Sequence, residues 1–235
     1  MPVESIRLNK FIAQRLNLGR RAADELISKG KVRVNGKIPV LGTRAEPGDE
    51  IVVDGTHIRF DSEADFLYVL FNKPVNYVCS RRQQGSSPTI FSILPAQYQH
   101  LKPVGRLDKD SSGLLLLTND GDLAHRMLHP SFFKIKKYEV TLNEPLAPLH
   151  RQMINDHGIN LPDGPSKLQL ERLKDGDDYE WLVTMHEGRN RQIRRTFDAL
   201  GYTVTRLHRT QFGPVSLHQL TGKRLLAVPR EWFTA

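Results

Sequence analysis

A chain of 235 residues is long enough for one generous domain or for two, each with its own core. Apolar residues at 39% and charged residues at 26% exclude a disordered chain, and the single cysteine, Cys79, excludes both a disulfide framework and a multi-cysteine zinc site. A net charge of +8 and a pI near 9.7 make a polyanion the first partner to consider.

The start, Met1 to Lys10, is polar and lacks an apolar segment behind a basic one. The apolar runs Phe66 to Phe71 and Leu114 to Leu117 are strand length. A cytoplasmic protein with no membrane partner is the expectation.

From Leu8, the residues Phe11, Ile12 and Leu16 recur at helical spacing, and Ala22, Ala23, Leu26 and Ile27 repeat the pattern after Asn17-Leu18-Gly19. Gly30 stops the second helix. Val32 and Val34 then alternate with Lys31 and Arg33, Asn35-Gly36 signals a hairpin turn, and Glu50 to Asp54 reads as a further strand. Residues 1–60 carry 11 Lys/Arg against 7 Asp/Glu. Arg7, Lys10, Arg15, Arg20, Arg21, Lys29, Lys31, Arg33 and Lys37 crowd this small unit in a way that suits a phosphate backbone. The stretch RLNKFIAQRLNLGRRAADELISKGKVRVNGK resembles the small α-L RNA-binding domain named for a small-subunit ribosomal protein. Gly19 departs from it, standing where that family has a capping serine or threonine, at a small expected loss of stability. By this resemblance Arg7, Lys10, Arg20, Arg21, Lys31 and Arg33 are RNA-binding.

Gly55 to Asp65 reads as a linker, which sets the domains at 1–60 and 66–235. Strands are expected at Leu67 to Phe71, Val75 to Ser80, Leu114 to Thr118, Lys137 to Leu142, Lys167 to Leu173, Trp181 to His186 and Val204 to His208. Helices fit Asp122 to Leu128, Leu149 to His157 and Arg191 to Leu200. Strands that follow one another through turns, with few helices among them, predict an α+β domain on a largely antiparallel mixed sheet flanked by helices.

The segment VGRLDKDSSGLLLLTNDGDLAHRMLHP, residues 104 to 130, sets a polar loop from Gly105 to Gly113 before an apolar strand, so a loop side chain is held at the edge of a core. It resembles the signature of rRNA pseudouridine synthases of the RsuA and RluB type. FNKP at 71–74, KKYEV at 136–140 and EGRNRQIRRTF at 187–197 match in the same order. The resemblance spans nearly the whole chain. It implies isomerisation of uridine to pseudouridine in ribosomal RNA or an assembly intermediate, by a monomer and without a cofactor, since substrate and product are isomers. The enzyme must extrude the base from its stack.

By the same resemblance Asp108 is the catalytic carboxylate. An aspartate is ionised at neutral pH and needs no activating base. Three roles stay open for it: attack on the ribose, attack on the uracil ring, or removal of a sugar proton. Arg194 is its implied partner, at the edge of an apolar stripe made by Ile193, Phe197 and Leu200, although the spacing equally allows a surface pair with Asp198. Tyr138 is placed against the flipped base, while its strand position alone reads as core. Arg106 fills the space that the base vacates, or else pairs with Asp110. Lys73 contacts phosphate or is simply exposed. Arg189, Arg191, Arg194 and Arg195 form a second basic cluster, in which Arg189 and Arg191 are expected to bind RNA.

Two rival readings compete. Asp108, Asp110, Asp120 and Asp122 would suit a metal-dependent RNA phosphodiesterase, although Asp120-Gly121-Asp122 is more simply a turn and helix cap. A non-catalytic RNA-binding or ribosome-assembly factor would explain the charge alone. His125 and His129, four apart without a third ligand, read as surface or RNA-facing, and no metal site is expected.

Overall fold

A computed structural model describes residues 5–59, 66–83, 85–129 and 134–233. The chain forms two compact units, with the main division between residues 66 and 67.

The first unit contains β1 (Ile6–Arg7), α1 (Leu8–Arg15), α2 (Arg20–Ser28), β2 (Val32–Val34), β3 (Arg44–Ala45), β4 (Ile51–Val53) and β5 (Thr56–Ile58). Leu8, Phe11 and Ile12 of α1 meet Ala23 and Ile27 of α2 over the buried faces of Val32, Ile51 and Val53. Gly19 caps α2 with extended backbone and no side-chain bond, and its carbonyl accepts from Ala23 at 3.0 Å. At the hairpin turn Asn35 and Gly36 have φ of 51° and 75°, the pair of positive values that a two-residue turn of matching twist needs. β2 pairs antiparallel with β4, and β4 with β5. The linker expected at 55–65 is therefore corrected at its start: Asp54 and Gly55, both at positive φ, turn the chain back so that Thr56–Ile58 pairs with β4. Residues 60–65 lie outside the described residues.

The second unit is α+β. Its elements are β6 (Tyr68–Lys73), β7 (Lys102–Val104), β8 (Ser112–Thr118), α3 (Gly121–Leu128), β9 (Lys136–Leu142), α4 (Pro148–Gln152), β10 (Ile159–Leu161), β11 (Gly164–Ser166), β12 (Gln169–Arg172), β13 (Glu180–Met185), α5 (Gln192–Asp198), β14 (Val204–Phe212), β15 (Val215–Ser216) and β16 (Leu225–Ala227). Among the described residues a nine-stranded sheet runs β12-β13-β9-β14-β8-β6-β16, with β15 on β14 and β7 on β8. Every pairing in it is antiparallel except β14 with β8. Alternation decides the faces: Tyr138, Val140 and Leu142 of β9 turn inward opposite Val183, Trp181 and Leu207, while Lys137, Glu139 and Thr141 turn out. Full burial of side chains such as Trp181 and Phe71 contributes roughly 1.5–3 kcal/mol each.

Two expectations are corrected. Val75 to Ser80 is not a strand. Pro74 and Asn76, at φ 71°, break the extended run, and only Val78 bridges, to Thr89. The helix expected at Leu149 to His157 changes winding midway: after α4, residues Met153–His157 form a π-helical turn closed by a bond from Gly158 N–H to the Met153 carbonyl. No helix among the described residues is long and apolar enough to cross a membrane.

Candidate active site

A cavity of about 930 Å³ opens beside β9, β13 and β14, lined in part by Asp108, Tyr138, Leu207, Arg209 and Phe212. It lies wholly within the second unit.

The loop from Gly105 to Ser111 brings Asp108 to this cavity, and the loop is fixed from below. Lys73, at the end of β6, is fully buried, and its ammonium donates to the carbonyls of Asp108 at 3.0 Å, Ser111 at 2.7 Å and Pro74 at 3.0 Å. Asn76 N–H adds a bond to the Lys109 carbonyl at 2.7 Å, and Leu107 N–H points at Cys79 Sγ at 3.5 Å. Burial pushes the Lys73 ammonium below the ordinary lysine range, while Cys79, Asp108 and Asp110 oppose the shift. A buried cation is tolerated when its donors are satisfied, and three carbonyls satisfy all three. The expected phosphate-contacting or exposed Lys73 is thus overturned: its charge faces the backbone of the Asp108 loop. Burial of its aliphatic stem between β6 and the loop leaves it no route to solvent.

At the other end of the loop, Gly113 sits at φ 105°, and a Cβ there would stand 2.3 Å from the Arg209 carbonyl. Only glycine lets β8 approach β14 in the parallel register His208–Ser112 and Arg209–Gly113.

Above the loop, α5 supplies the cations. Asp108 is one-third exposed, and its Oδ2 lies 3.5 Å from Arg191 Nη1. Arg191 also grips both carboxylate oxygens of Asp110 at 3.1 Å. Arg194, expected to pair with Asp108, instead places Nε 3.3 Å from Asp110 and donates to the carbonyls of Val204 at 2.6 Å and Asp110 at 2.9 Å. Its position over the loop ends rather than the loop tip sends its fork to Asp110, and the alternative pair with Asp198 does not form. Burial alone would raise the Asp110 carboxyl. The hydrogen bond from Arg191 and the charges of Arg194 and Arg191 outweigh it and hold that carboxyl below its usual range.

The second basic cluster is paired within the fold. Arg189 donates to the Asp163, Gly164 and Pro165 carbonyls and to the carboxylates of Asp163 and Glu187, and Arg195 grips both oxygens of Asp163 at 3.0 and 2.8 Å. These bonds tie the β10–β11 hairpin to α5. Among the expected residues, Asp108, Arg106, Tyr138, Arg189 and Arg191 line the cavity, while Arg194 lies behind it. Tyr138 is 8% exposed, and its hydroxyl makes no hydrogen bond among the described residues. Arg106 is exposed and likewise unpaired, not bonded to Asp110. On the first unit, Arg7, Arg20, Arg21, Lys31 and Arg33 are exposed and Lys10 is half-buried. Lys31 pairs with Asp54 at 3.0 Å and Arg20 reaches Asn9 at 3.4 Å. His125 and His129 stack at 5.0 Å between ring centroids, and no group of three or more metal-ligating acidic, histidine or cysteine side chains occurs among the described residues.

Sequence reasoning missed Arg209, which is 3% exposed and lines the cavity from β14. The signal was present: in Leu207-His208-Arg209 the arginine occupies an inward position of a strand, where a charge is out of place.

The cavity thus joins a carboxylate on an anchored loop with arginine and aromatic side chains, a setting that suits an anionic ligand carrying a planar ring. Residues 67–199 match the RNA pseudouridylate synthase family model and residues 6–51 match the S4 domain, and the chain belongs to the RNA pseudouridylate synthase family. Relatives include the "Ribosomal large subunit pseudouridine synthase B" of Bacillus subtilis, 36% identical over 96% of this chain and 93% of that protein. The protein of the same name in Pseudomonas aeruginosa is 38% identical over 90% of this chain. The "Dual-specificity RNA pseudouridine synthase RluF" of Escherichia coli is 35% identical over 92% of this chain and 73% of its own length. The chain spans 56% of the Pseudomonas relative and 46% of its Xylella fastidiosa counterpart. A crystal structure of a pseudouridylate synthase superposes with a TM-score of 0.67 at 32% identity, over 98% of this chain and 99% of the other.

Proposed function

We propose that this chain isomerises a uridine of ribosomal RNA to pseudouridine, with Asp108 as the catalytic carboxylate. The observation that carries the reading is the anchoring of the Asp108 loop. Lys73 ties its backbone from below and Arg191 meets its carboxylate from above, so the reactive oxygen is held in place before any substrate arrives. Such preorganisation is what positions a reacting group at little further cost. Tyr138 stacks on the extruded base, Arg106 fills the gap left in the RNA, and Arg191 and Arg194 keep the Asp108 loop in register. The exposed cations of residues 5–59 grip the RNA backbone, a contact that fixes position without reading sequence. Substrate and product are isomers, so no cofactor enters the reaction. The names of the relatives favour large-subunit RNA, and a cytoplasmic monomer acting during ribosome assembly completes the reading.

The test is release of tritium from ribosomal RNA labelled at carbon 5 of uridine, in EDTA, with wild type and Asp108→Asn side by side. Wild type alone should release label, and the variant should fall by on the order of 10³-fold or more while still binding RNA. Release by both would remove Asp108 from its role. Release by neither, on assembly intermediates as well as naked RNA, would leave a binding factor, and strand cleavage that stops in EDTA, without tritium release, would favour the metal-dependent phosphodiesterase.

A further inference from the structure

Arg209 is a buried cation with an unused donor. Its Nε donates to the Leu114 carbonyl at 2.7 Å and its Cζ lies 4.8 Å from the Phe212 ring centroid, yet Nη2 is buried with no hydrogen-bond partner. Leaving such a group unsatisfied is costly, and in a native fold it asks for a reason. Lys73 and Lys136 lie close enough to feel the Arg209 charge, which lowers the pKa of both after burial itself. No carboxylate pairs with Arg209 among the described residues. The guanidinium therefore adds positive charge to a cavity wall that already holds some. The backbone of Arg209 is pinned by the close approach of Gly113, and its cross-strand neighbour on β9 is Tyr138.

We infer that the Arg209 guanidinium, which lines the cavity, donates a hydrogen bond to a carbonyl oxygen of the extruded uracil, and that it stabilises the negative charge on that base when the glycosidic bond breaks. The inference rests on the pseudouridine-forming reading above. Breaking C1′–N1 sends the bonding pair onto N1, from where it spreads over O2 and O4. On the sugar side Asp108 either forms a bond to C1′ or takes the C2′ proton. When C5 joins C1′, the base returns the pair to the sugar, Asp108 is released or gives its proton back, the C5 proton leaves and N1 takes one up. The base is an anion only between these two steps, so a fixed cation that meets it there acts on the intermediate more than on the substrate. A phosphate is the poorer occupant for this donor. Leu207, Phe212 and Tyr138, beside Arg209 on β14 and β9, are apolar or aromatic and suit a planar base, whereas other cations of the cavity, Lys167, Arg189 and Arg191 among them, lie on other elements.

The experiment compares wild type with Arg209→Lys on ribosomal RNA transcribed with uridine and with 5-fluorouridine. Tritium release reads the first RNA; in the second, C5 has no proton to lose, so the carbon-linked product takes up water at C6 and is read by mass spectrometry in single turnover. Lysine keeps the positive charge and one bond to Leu114 but loses the second nitrogen. Fluorine makes the departing base a weaker base, so it needs less help. The expected result is a kcat about 100-fold lower on uridine and only about tenfold lower on 5-fluorouridine, with KM nearly unchanged. Equal losses on the two RNAs, or a change in KM alone, would mean a structural or phosphate-holding arginine and overturn the inference while the functional reading stands. Should the variant fail to melt cooperatively, wild type decides on RNAs made with 2-thiouridine or 4-thiouridine, whose sulfur accepts hydrogen bonds poorly. One of the two should react about tenfold more slowly than the other, and equal rates overturn the inference. A wild type that releases no tritium from uridine RNA defeats the functional reading first and the inference with it.

Discussion

Arg21, Lys31 and Arg33 of the first unit stand exposed on a scaffold of two helices and short strands, whereas Lys73, Arg194 and Arg209 of the second are enclosed and donate to main-chain carbonyls. The residue types are the same and the sequence shows similar density in both regions, so composition cannot separate them. What separates them is the loop each packs against. A cation beside an unpaired set of carbonyls becomes a fastener, and one over a paired sheet stays available to an outside anion. The exposed cations of the first unit are the ones proposed to grip RNA, and the second region shows that a count of arginines does not by itself measure a binding face.

The contrast can be broken by substitution. Replacing Lys73 with Met leaves the Asp108, Ser111 and Pro74 carbonyls without their donor, and we expect a loss of about 3 kcal/mol in urea unfolding together with activity. Lys31→Met, which removes an exposed pair with Asp54, should change stability by no more than about 0.5 kcal/mol. Equal effects would dissolve the distinction.

Acid sharpens the comparison within the second unit. Asp110 binds fewer protons folded than unfolded at moderately low pH, because its folded pKa is held down. Its contribution is therefore complete above the ordinary carboxylate pKa of about 3.9 and is lost as pH falls through the lower folded value. Wild type should lose thermal stability more steeply than Asp110→Asn below about pH 4. Parallel melting curves for the two would show that the clamp by Arg191 and Arg194 adds nothing.

The smallest effect on folding is expected from Arg20→Ala with Arg21→Ala, both exposed. Melting should stay within about 0.5 kcal/mol of wild type, while RNA affinity weakens and the slope of log affinity against log salt becomes shallower by roughly 1 to 2. An unchanged salt slope would remove these two residues from the RNA interface.

Much of the second unit was legible because its strands announce themselves. Leu114 to Leu117 is an apolar run that became the centre of β8, and the alternation from Lys137 to Leu142 became β9. β1, β3, β7 and β16 escaped notice since two or three residues carry no period to read, and the same holds for β10 and β11, whose turn is held by Arg189 and Arg195 from a distance along the chain. In the site, Asp108 was visible through its motif, and the arginines of α5 through their density. Their pairings were not, because Lys73 meets carbonyls 35 and 38 residues further on, and helix spacing does not tell which of Asp108 and Asp110 a guanidinium will reach. Arg209 was the one omission with a local cue, a charge in an inward slot.

The parallel junction of β8 with β14 has a consequence for the timing of synthesis. During synthesis Asp108 and β8 emerge about a hundred residues before Arg209, at a stage when β8 can pair with β6 and β7 but not with β14. The side of the cavity built by Leu207, Arg209 and Phe212 is thus the last to be made.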